Sequence, residues 1–173
     1  MASKPRMRQI VPDLILGNVR SYHNRELIEE NHINAVVSLT HAPWVWWNTI
    51  TREAGVPKDC HKFVQCADSS KQGVLVYLGN ICDFMDQVAS PALCATGSLP
   101  TECNAEDARR DGPGASKAVL IHCDLGISRP PSPIIVYLMR NLRMPRAEVF
   151  GFVRSKQKIK RKPHSPARGL GEG

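Results

Sequence analysis

Hydrophobic residues along the 173-residue chain fall into short runs that polar segments separate. The run INAVVSLT at residues 33–40 is rich in β-branched side chains, and the run AVLIH at residues 118–122 is apolar almost throughout. Runs of this length and composition predict buried strands. Residues 62–66 (KFVQC) are a further strand candidate, and residues 9–17 (QIVPDLILG) predict a strand with a turn at its Pro-Asp pair.

Four other segments have the spacing or the end signals of helices. In residues 74–89 the apolar positions Leu75, Leu78, Cys82, Met85 and Ala89 recur every three or four residues, which is the spacing of a buried helix face. The remaining three predicted helices cover residues 24–32, 130–142 and 145–155, the last with a proline in its first turn.

Strands that alternate with helices predict an α/β fold, in which helices cover a mostly parallel sheet. In open sheets of this kind ligands bind beyond the carboxyl ends of the strands. Because AVLIH ends at His122, we expect the functional site in the loop that follows this residue.

Two stretches lack any periodicity. Residues 90–117 collect Pro, Gly, Ser, Ala and charged residues, which predicts a long mobile loop. A tolerated surface insertion is the favoured interpretation of this loop, and a partner-docking element is the alternative. Residues 158–173 cannot build a core and predict a basic, disordered tail, so we expect the folded domain within residues 1–157.

The net charge of +7 is concentrated at the two ends of the chain. Residues 1–8 carry +3 and residues 154–173 carry +6, which leaves −2 for the body between them. Basic ends contact nucleic acid, acidic lipid or an import receptor in some proteins, but a solvated tail is the favoured interpretation. Neither a membrane nor nucleic acid is therefore expected as a partner. The run KIKRK at residues 158–162 resembles a nuclear import signal.

The six cysteines form neither a Cys-x-x-Cys pair nor a Cys/His zinc pattern. The N-terminal segment is basic but reaches a Pro-Asp pair before any long apolar stretch, which is not typical of a signal peptide. The apolar run IIVYLM at residues 134–139, within the predicted helix 130–142, is too short to span a bilayer. These features favour free thiols in the cytoplasm or the nucleus.

Residues 122–129 (HCDLGISR) combine a cysteine and an arginine six positions apart with a glycine between them. The backbone N–H groups of a loop between a strand and a helix start form an anion-binding nest, and the helix dipole adds positive potential. Gly126 lets such a loop turn tightly, and Arg129 presents a planar fork that matches two phosphate oxygens. Cys123 is then expected at the base of an electropositive cup that favours its thiolate.

These parts predict a reaction on a phosphate ester. The thiolate attacks phosphorus while the arginine and the loop amides bind the equatorial oxygens. A phosphocysteine forms without a metal ion or other cofactor, because the loop itself neutralises the charge. The leaving alkoxide or phenolate needs a proton from a general acid, for which a carboxylic acid on a neighbouring loop is suited.

HCDLGISR fits the HCxxGxxR signature of the protein tyrosine phosphatase superfamily, and the sequence around it resembles the dual-specificity branch. IVPDLILGN, HINAVVSLT, FVQCADSS and RMPRAEVFGFVRSKQ are similar to successive segments of that branch. The resemblance covers roughly residues 8–157, apart from the 90–117 loop. It implies a three-layer α/β fold and hydrolysis of phosphotyrosine and phosphoserine or phosphothreonine in protein substrates.

The resemblance also implies roles for individual residues. Cys123 matches the nucleophile, Arg129 the phosphate clamp and Asp68 the general acid, while His122 supports the cysteine. Asp59 is a rival acid, but it precedes the strand FVQC and is expected on the wrong side. The backbone amides that bind phosphate would come from Asp124, Leu125, Gly126, Ile127, Ser128 and Arg129.

Three departures from the family pattern stand out. Pro130 occupies the position of a Ser or Thr whose hydroxyl helps the thiolate leave the phosphoenzyme, and proline has no such donor. Ser132 is a poor substitute, because it lies two residues further along the predicted helix. The second departure is a C-terminus that cannot form the family's last helix, and the third is the long 90–117 loop. The proline predicts slow dephosphorylation of the enzyme with phosphate binding retained.

Other functions remain open at this point. A phospho-binding pseudophosphatase with little turnover is the main alternative, supported by Pro130. The loop contains no lysine, which disfavours inositol lipid substrates. An RNA 5′-triphosphatase fits only the basic tail, and a rhodanese or arsenate reductase does not fit the histidine before Cys123.

Overall fold

The computed structural model describes residues 4–41, 49–66, 74–89, 98–99, 117–123 and 131–157. Almost all of the 90–117 loop and the whole 158–173 tail lie outside these residues, so the predictions for them stay predictions. Within the part of the chain that the structure describes, no helix is long and apolar enough to cross a membrane.

A five-stranded sheet forms the centre of the described fold, in the order β1-β2-β5-β3-β4. Its strands are β1 (Met7–Val11), β2 (Leu14–Asn18), β3 (Ile33–Thr40), β4 (His61–Gln65) and β5 (Ala118–Cys123). The edge strand β1 runs antiparallel to β2, and the other neighbouring strands pair in parallel. The predicted α/β fold with a mostly parallel sheet is confirmed.

Six α-helices connect and cover these strands in the described residues. They are α1 (Val19–Tyr22), α2 (Arg25–Glu30), α3 (Thr49–Glu53), α4 (Leu78–Val88), α5 (Pro131–Leu142) and α6 (Arg146–Gln157). Short 3-10 turns precede β4 at Lys58–Cys60 and α4 at Leu75–Tyr77. The four helices predicted from the sequence are α2, α4, α5 and α6, each with slightly different ends.

Side chains that alternate along β5 feed two separate cores, one on each face of the sheet. Val119, Ile121 and Cys123 belong to the core that α4, α5 and α6 cover. Ala118 and Leu120 belong to the other core, which α1 and α2 cover with Tyr22 and Ile28 among other side chains. The fold therefore has three layers, as the family resemblance implied.

The structure corrects two local predictions. Residues 9–17 form a hairpin of two strands rather than one strand with a turn, because the chain reverses at Asp13, which adopts a left-handed φ of 63°. Leu75 does not belong to the buried face of α4, because it lies in the preceding 3-10 turn and is 70% exposed. The buried face of α4 consists of Ile81, Cys82, Phe84 and Met85.

The last helix is tied to the edge of the sheet. A guanidinium nitrogen of Arg8 in β1 donates a hydrogen bond of 2.7 Å to the carbonyl oxygen of Lys156 in α6. The carbonyl groups in the last turn of a helix have no partner within the helix, so this bond caps α6 from outside. At the other end α6 begins directly after Pro145, whose carbonyl oxygen accepts from Glu148 at 3.2 Å, close to the predicted start.

Candidate active site

Cys123 is the last residue of β5 and lies at the carboxyl edge of the sheet. In the strand pairing it is opposite Asn18 of β2 on one side and Leu39 of β3 on the other. The residue is 2% exposed, and its sulfur forms no disulfide with another cysteine of the described residues. The predicted nucleophile is therefore a reduced, almost fully buried thiol at the end of a central strand, where α/β proteins bind their ligands.

The strand beside Cys123 ends in a tightly bonded corner. The side-chain oxygen of Asn18 accepts a hydrogen bond of 3.0 Å from the backbone N–H of Ser21, and the Ser21 hydroxyl oxygen accepts one of 3.0 Å from the Asn18 N–H. This capping box starts α1. The Asn18 amide nitrogen also donates to the Lys4 carbonyl oxygen, and the Arg6 N–H donates to the Asn18 side-chain oxygen. The corner therefore anchors the N-terminal segment next to the nucleophile.

Gly17, opposite His122 in the β2–β5 pairing, leaves room for this corner. A Cβ atom at Gly17 would lie 2.8 Å from Cδ1 of Leu120 and 2.9 Å from the hydroxyl oxygen of Ser21. Leu120 is fully buried, so it has little freedom to move away. A side chain at position 17 would therefore push β2 away from β5 at the level of the site.

His122 directly precedes the nucleophile, and its side chain packs on the opposite face of the sheet. Its ring stacks on Tyr22 of α1, with ring centroids 4.5 Å apart and an angle of 14° between the planes. Its Nε2 atom lies 2.7 Å from the hydroxyl oxygen of Ser38 in β3. Burial, followed by the nearby His61 and His23, lowers the pKa of His122 to about 3, although the Cys123 backbone opposes this. The ring is therefore neutral at physiological pH.

Ser38 and His61 complete a buried polar cluster that the sequence analysis did not find. The Nε2 atom of His61 in β4 also lies 2.7 Å from the Ser38 hydroxyl oxygen. Burial lowers the pKa of His61 to about 4, so this ring is neutral as well. The signal in the sequence was a lone serine inside the apolar strand VVSLT, because buried polar groups need hydrogen-bond partners.

The phosphate-binding residues predicted from the sequence lie outside the described residues. These are Asp124, Leu125, Gly126, Ile127, Ser128 and Arg129, together with the anomalous Pro130. The elements that flank them are described: β5 ends at Cys123 and α5 begins at Pro131. The predicted strand before the signature loop and the predicted helix after it are therefore confirmed, while the loop itself and the role of each of its residues stay predictions.

Asp68, the predicted general acid, also lies outside the described residues. Two residues before it in the sequence, Cys66 is buried, and its N–H donates to the Thr40 carbonyl oxygen at 3.2 Å. Because β4 and β5 both pair in parallel with β3, their carboxyl ends lie at the same edge of the sheet. The chain thus enters the 67–73 segment at the edge where Cys123 lies, and the role of Asp68 stays a prediction.

Asp59, the rival acid, lies at the opposite edge. It is exposed in the 3-10 turn Lys58–Cys60, directly before β4 begins. The strand pairing places the start of β4 beside Val36 and the nucleophile beside Leu39, three residues further along β3. A proton donor must reach the leaving oxygen at hydrogen-bond distance, so the position of Asp59 does not suit this role.

No family model matches the chain. Among curated proteins, the chain is 26% identical over 149 residues to dual specificity protein phosphatase 16 of Homo sapiens, an alignment of 86% of this chain and 18% of that protein. It is 22% identical over 151 residues to dual specificity protein phosphatase 5 of Rattus norvegicus, covering 87% of this chain and 31% of that protein. The chain thus spans less than a third of either relative.

Among solved structures, human DUSP28 superposes with a TM-score of 0.62 at 20% identity and covers 90% of this chain and 85% of that chain. This likeness concerns the fold, and it agrees with the strand order and layers described above. The HCDLGISR signature begins at the end of the central strand β5, and the curated relatives that match most of the chain are dual-specificity phosphatases. Over most of its length the chain is thus similar to dual-specificity phosphatases, which are members of the cysteine-based protein tyrosine phosphatase superfamily.

Proposed function

We propose that this chain hydrolyses phosphotyrosine and phosphoserine or phosphothreonine esters in proteins through a phosphocysteine intermediate. The observation that carries the proposal is the position of Cys123, a buried and reduced thiol at the carboxyl end of β5. The helix α5 begins eight residues later at Pro131, so a phosphate held by the intervening loop would face a helix start.

The first chemical step forms a sulfur–phosphorus bond and breaks the bond between phosphorus and the ester oxygen. The Cys123 thiolate supplies the electron pair, and Asp68 gives its proton to the leaving oxygen. Arg129 and the loop N–H groups hold the three equatorial oxygens and balance the charge on the phosphoryl group. The dephosphorylated protein side chain then leaves.

The second step releases inorganic phosphate and restores the enzyme. The Asp68 carboxylate accepts a proton from a water molecule as that water attacks phosphorus, and the sulfur–phosphorus bond breaks. The sulfur leaves as a thiolate, which the positive environment of the loop stabilises. Pro130 offers no hydroxyl to this departing sulfur, so we propose that the second step limits the overall rate.

A phospho-binding protein with little turnover is the alternative function. The specific observation in its favour is Pro130, because the retained cysteine and arginine suffice to bind phosphate while the missing hydroxyl slows release of the sulfur. The two functions differ in whether inorganic phosphate accumulates beyond one equivalent of protein.

The deciding experiment measures hydrolysis of para-nitrophenyl phosphate by the wild type, Cys123→Ser and Cys60→Ser, with mass spectrometry of acid-quenched protein. We expect multiple turnovers and a phosphorylated Cys123 in the wild type, and neither in Cys123→Ser. Cys60 is the matched control, because its partly buried thiol lies before β4, at the amino end of that strand. Its substitution should leave both readouts unchanged.

Two results would contradict the proposal. A wild-type protein that binds phosphopeptide but releases no more than one equivalent of phosphate would establish the alternative function. Turnover that survives in Cys123→Ser would exclude Cys123 as the nucleophile, whatever the rate.

A further inference from the structure

Three buried side chains from three neighbouring strands converge behind the nucleophile. Ser38 lies in β3, between His61 of β4 and His122 of β5. Its hydroxyl oxygen is 2.7 Å from the Nε2 atom of each ring. The exposed fractions are 0% for Ser38, 6% for His61 and 0% for His122. Distances this short inside a core indicate strong hydrogen bonds.

Counting the protons of this cluster fixes a relation between the two rings. Among the described residues the Ser38 hydroxyl has no partner other than these two Nε2 atoms. Its one hydrogen therefore goes to one Nε2 atom, and its oxygen accepts from the other. Both rings are neutral, because burial lowers the pKa of His61 to about 4 and that of His122 to about 3. A neutral imidazole has one N–H group. One histidine therefore carries its hydrogen on Nε2 and the other carries it on Nδ1.

The surroundings of His122 indicate which of its two ring nitrogens carries the hydrogen. The Nδ1 atom of His122 is buried and meets no hydrogen-bond partner of good geometry among the described residues. The backbone of Cys123 nevertheless raises the pKa of His122 against the larger effect of burial, which is the sign expected of a carbonyl acceptor beside an N–H group. The Nδ1 atom thus favours a hydrogen, and Nε2 of His122 accepts from Ser38.

We propose that His61 is a positioning residue: through Ser38 it holds His122 in the tautomer whose Nδ1–H lies beside the Cys123 backbone and adds positive potential at the end of β5 that carries the thiolate. The hydrogen bonds then run in one direction, from His61 Nε2–H to the Ser38 oxygen and from the Ser38 hydroxyl to His122 Nε2. The inference rests on Cys123 being the nucleophile of the proposed function.

The surroundings of the cluster keep this arrangement neutral. Tyr22 of α1 stacks on His122 and lies at a centroid distance of 5.7 Å from His61. His23 lies next to Tyr22, and burial followed by the Arg20 charge lowers the pKa of His23. His61, His23 and the Cys123 backbone are the groups that act on His122 electrostatically. None of these groups is a carboxylate. A second proton on either buried ring would therefore lie near other rings and would have no negative charge among these groups to stabilise it.

The first test needs no substitution and no substrate. Nitrogen-15 NMR of histidine-labelled wild-type protein distinguishes a protonated from an unprotonated ring nitrogen at neutral pH. We expect His122 to carry hydrogen on Nδ1 and His61 to carry it on Nε2. The reverse assignment, or a charged ring at either position, would overturn the inference.

The second test measures the pH dependence of alkylation of Cys123 by iodoacetamide. In His61→Phe the donor to Ser38 is lost, and we expect the alkylation midpoint to rise by roughly 0.5 to 1 pH unit. In His61→Gln a side-chain amide N–H replaces the donor, and the midpoint should stay near that of the wild type. Ser38→Ala should raise the alkylation midpoint as much as His61→Phe does. The double variant Ser38→Ala/His61→Phe should raise the midpoint no further than either single variant.

A merely structural role for His61 predicts another outcome. His61→Phe would then lower the thermal stability and leave the alkylation midpoint where it is, which overturns the inference even if the variant is less stable. Because alkylation requires no turnover, failure of the proposed function is recognised separately, as an absence of phosphate release in a wild type with the expected midpoint.

Discussion

The hydroxyl oxygen of Ser38 lies 2.7 Å from Nε2 of His122, and this bond links the middle of β3 to the residue directly before the nucleophile. The two residues are also opposite each other in the β3–β5 pairing. Ser38 interrupts a strand that is otherwise apolar and buried in its central part. A buried hydroxyl is costly unless it is bonded, so the two histidine contacts explain why this strand tolerates a serine.

Removing the Ser38 hydroxyl should destabilise the fold. Ser38→Ala leaves the facing Nε2 atoms of His61 and His122 without this partner in the core, and we expect a loss of about 1–3 kcal/mol in the free energy of unfolding. Urea denaturation followed by tryptophan fluorescence measures this loss. Ser155→Ala is the control, because Ser155 is exposed and such changes stay within about 0.5 kcal/mol. Equal stability of the two variants would contradict the prediction.

Acid should destabilise the protein through the same histidines. Both pKa values are lowered, from 6.5 to about 4 for His61 and to about 3 for His122. Below pH 6.5 these histidines therefore bind protons in the unfolded chain but stay neutral in the folded chain. Their contribution to the free energy of unfolding is fully present above pH 6.5 and is lost as pH falls toward 4. Each histidine contributes a slope of up to about 1.4 kcal/mol per pH unit.

Replacing His61 should reduce this acid sensitivity. His61→Gln removes one titrating group, so the unfolding free energy should fall less steeply between pH 6.5 and 4 than in the wild type. Urea denaturation at half-unit pH intervals gives both slopes. Identical slopes in the two proteins would show that His61 titrates normally in the folded state.

The glycine beside the site should not tolerate a side chain. In Gly17→Ala the new Cβ meets Leu120 Cδ1 at 2.8 Å, and we expect a loss of roughly 1–3 kcal/mol from overpacking. Gly79→Ala in α4 is the matched control, because nothing lies within 4 Å of its Cβ position. Alanine is the better helix former there and should stabilise by up to about 1 kcal/mol. Thermal denaturation of both variants shows whether Gly17→Ala lowers the melting temperature while Gly79→Ala raises it.

Asp68 and Asp59 offer a direct comparison of the two candidate acids. Asp68→Asn should slow hydrolysis of a phosphotyrosine peptide by roughly 10²- to 10⁴-fold, because the leaving phenolate then receives no proton. Asp59→Asn should leave the rate within about twofold, since Asp59 is exposed at the far edge of the sheet. Steady-state kinetics against pH measures both, and the reverse order of effects would reassign the acid.

Pro130→Ser should accelerate the step that releases phosphate. The new hydroxyl would donate to the departing sulfur, so steady-state turnover of para-nitrophenyl phosphate should rise, and the initial burst of nitrophenol should become less prominent. Stopped-flow measurement separates the two phases. A slower variant with an unchanged burst would mean that the proline does not limit the reaction.

The sequence alone determined most of the elements of secondary structure and the class of chemistry. The strand at residues 33–40 and the central strand before Cys123 followed from short apolar runs, and α5 and α6 followed from spacing and end signals. The HCDLGISR signature could be recognised from the sequence because its parts lie within eight consecutive residues. A loop that builds its site from adjacent backbone groups needs little information from the rest of the chain.

Only the tertiary structure brought Ser38, His61 and His122 together. His61 lies 23 positions from Ser38 in the chain, and His122 lies 84 positions from it. The three side chains meet because of the strand order β5-β3-β4 and the register in which these strands pair. A shift of one residue in any strand would turn its side chain to the other face of the sheet. Local patterns specify each strand, but the register between strands arises from the packing of the two cores.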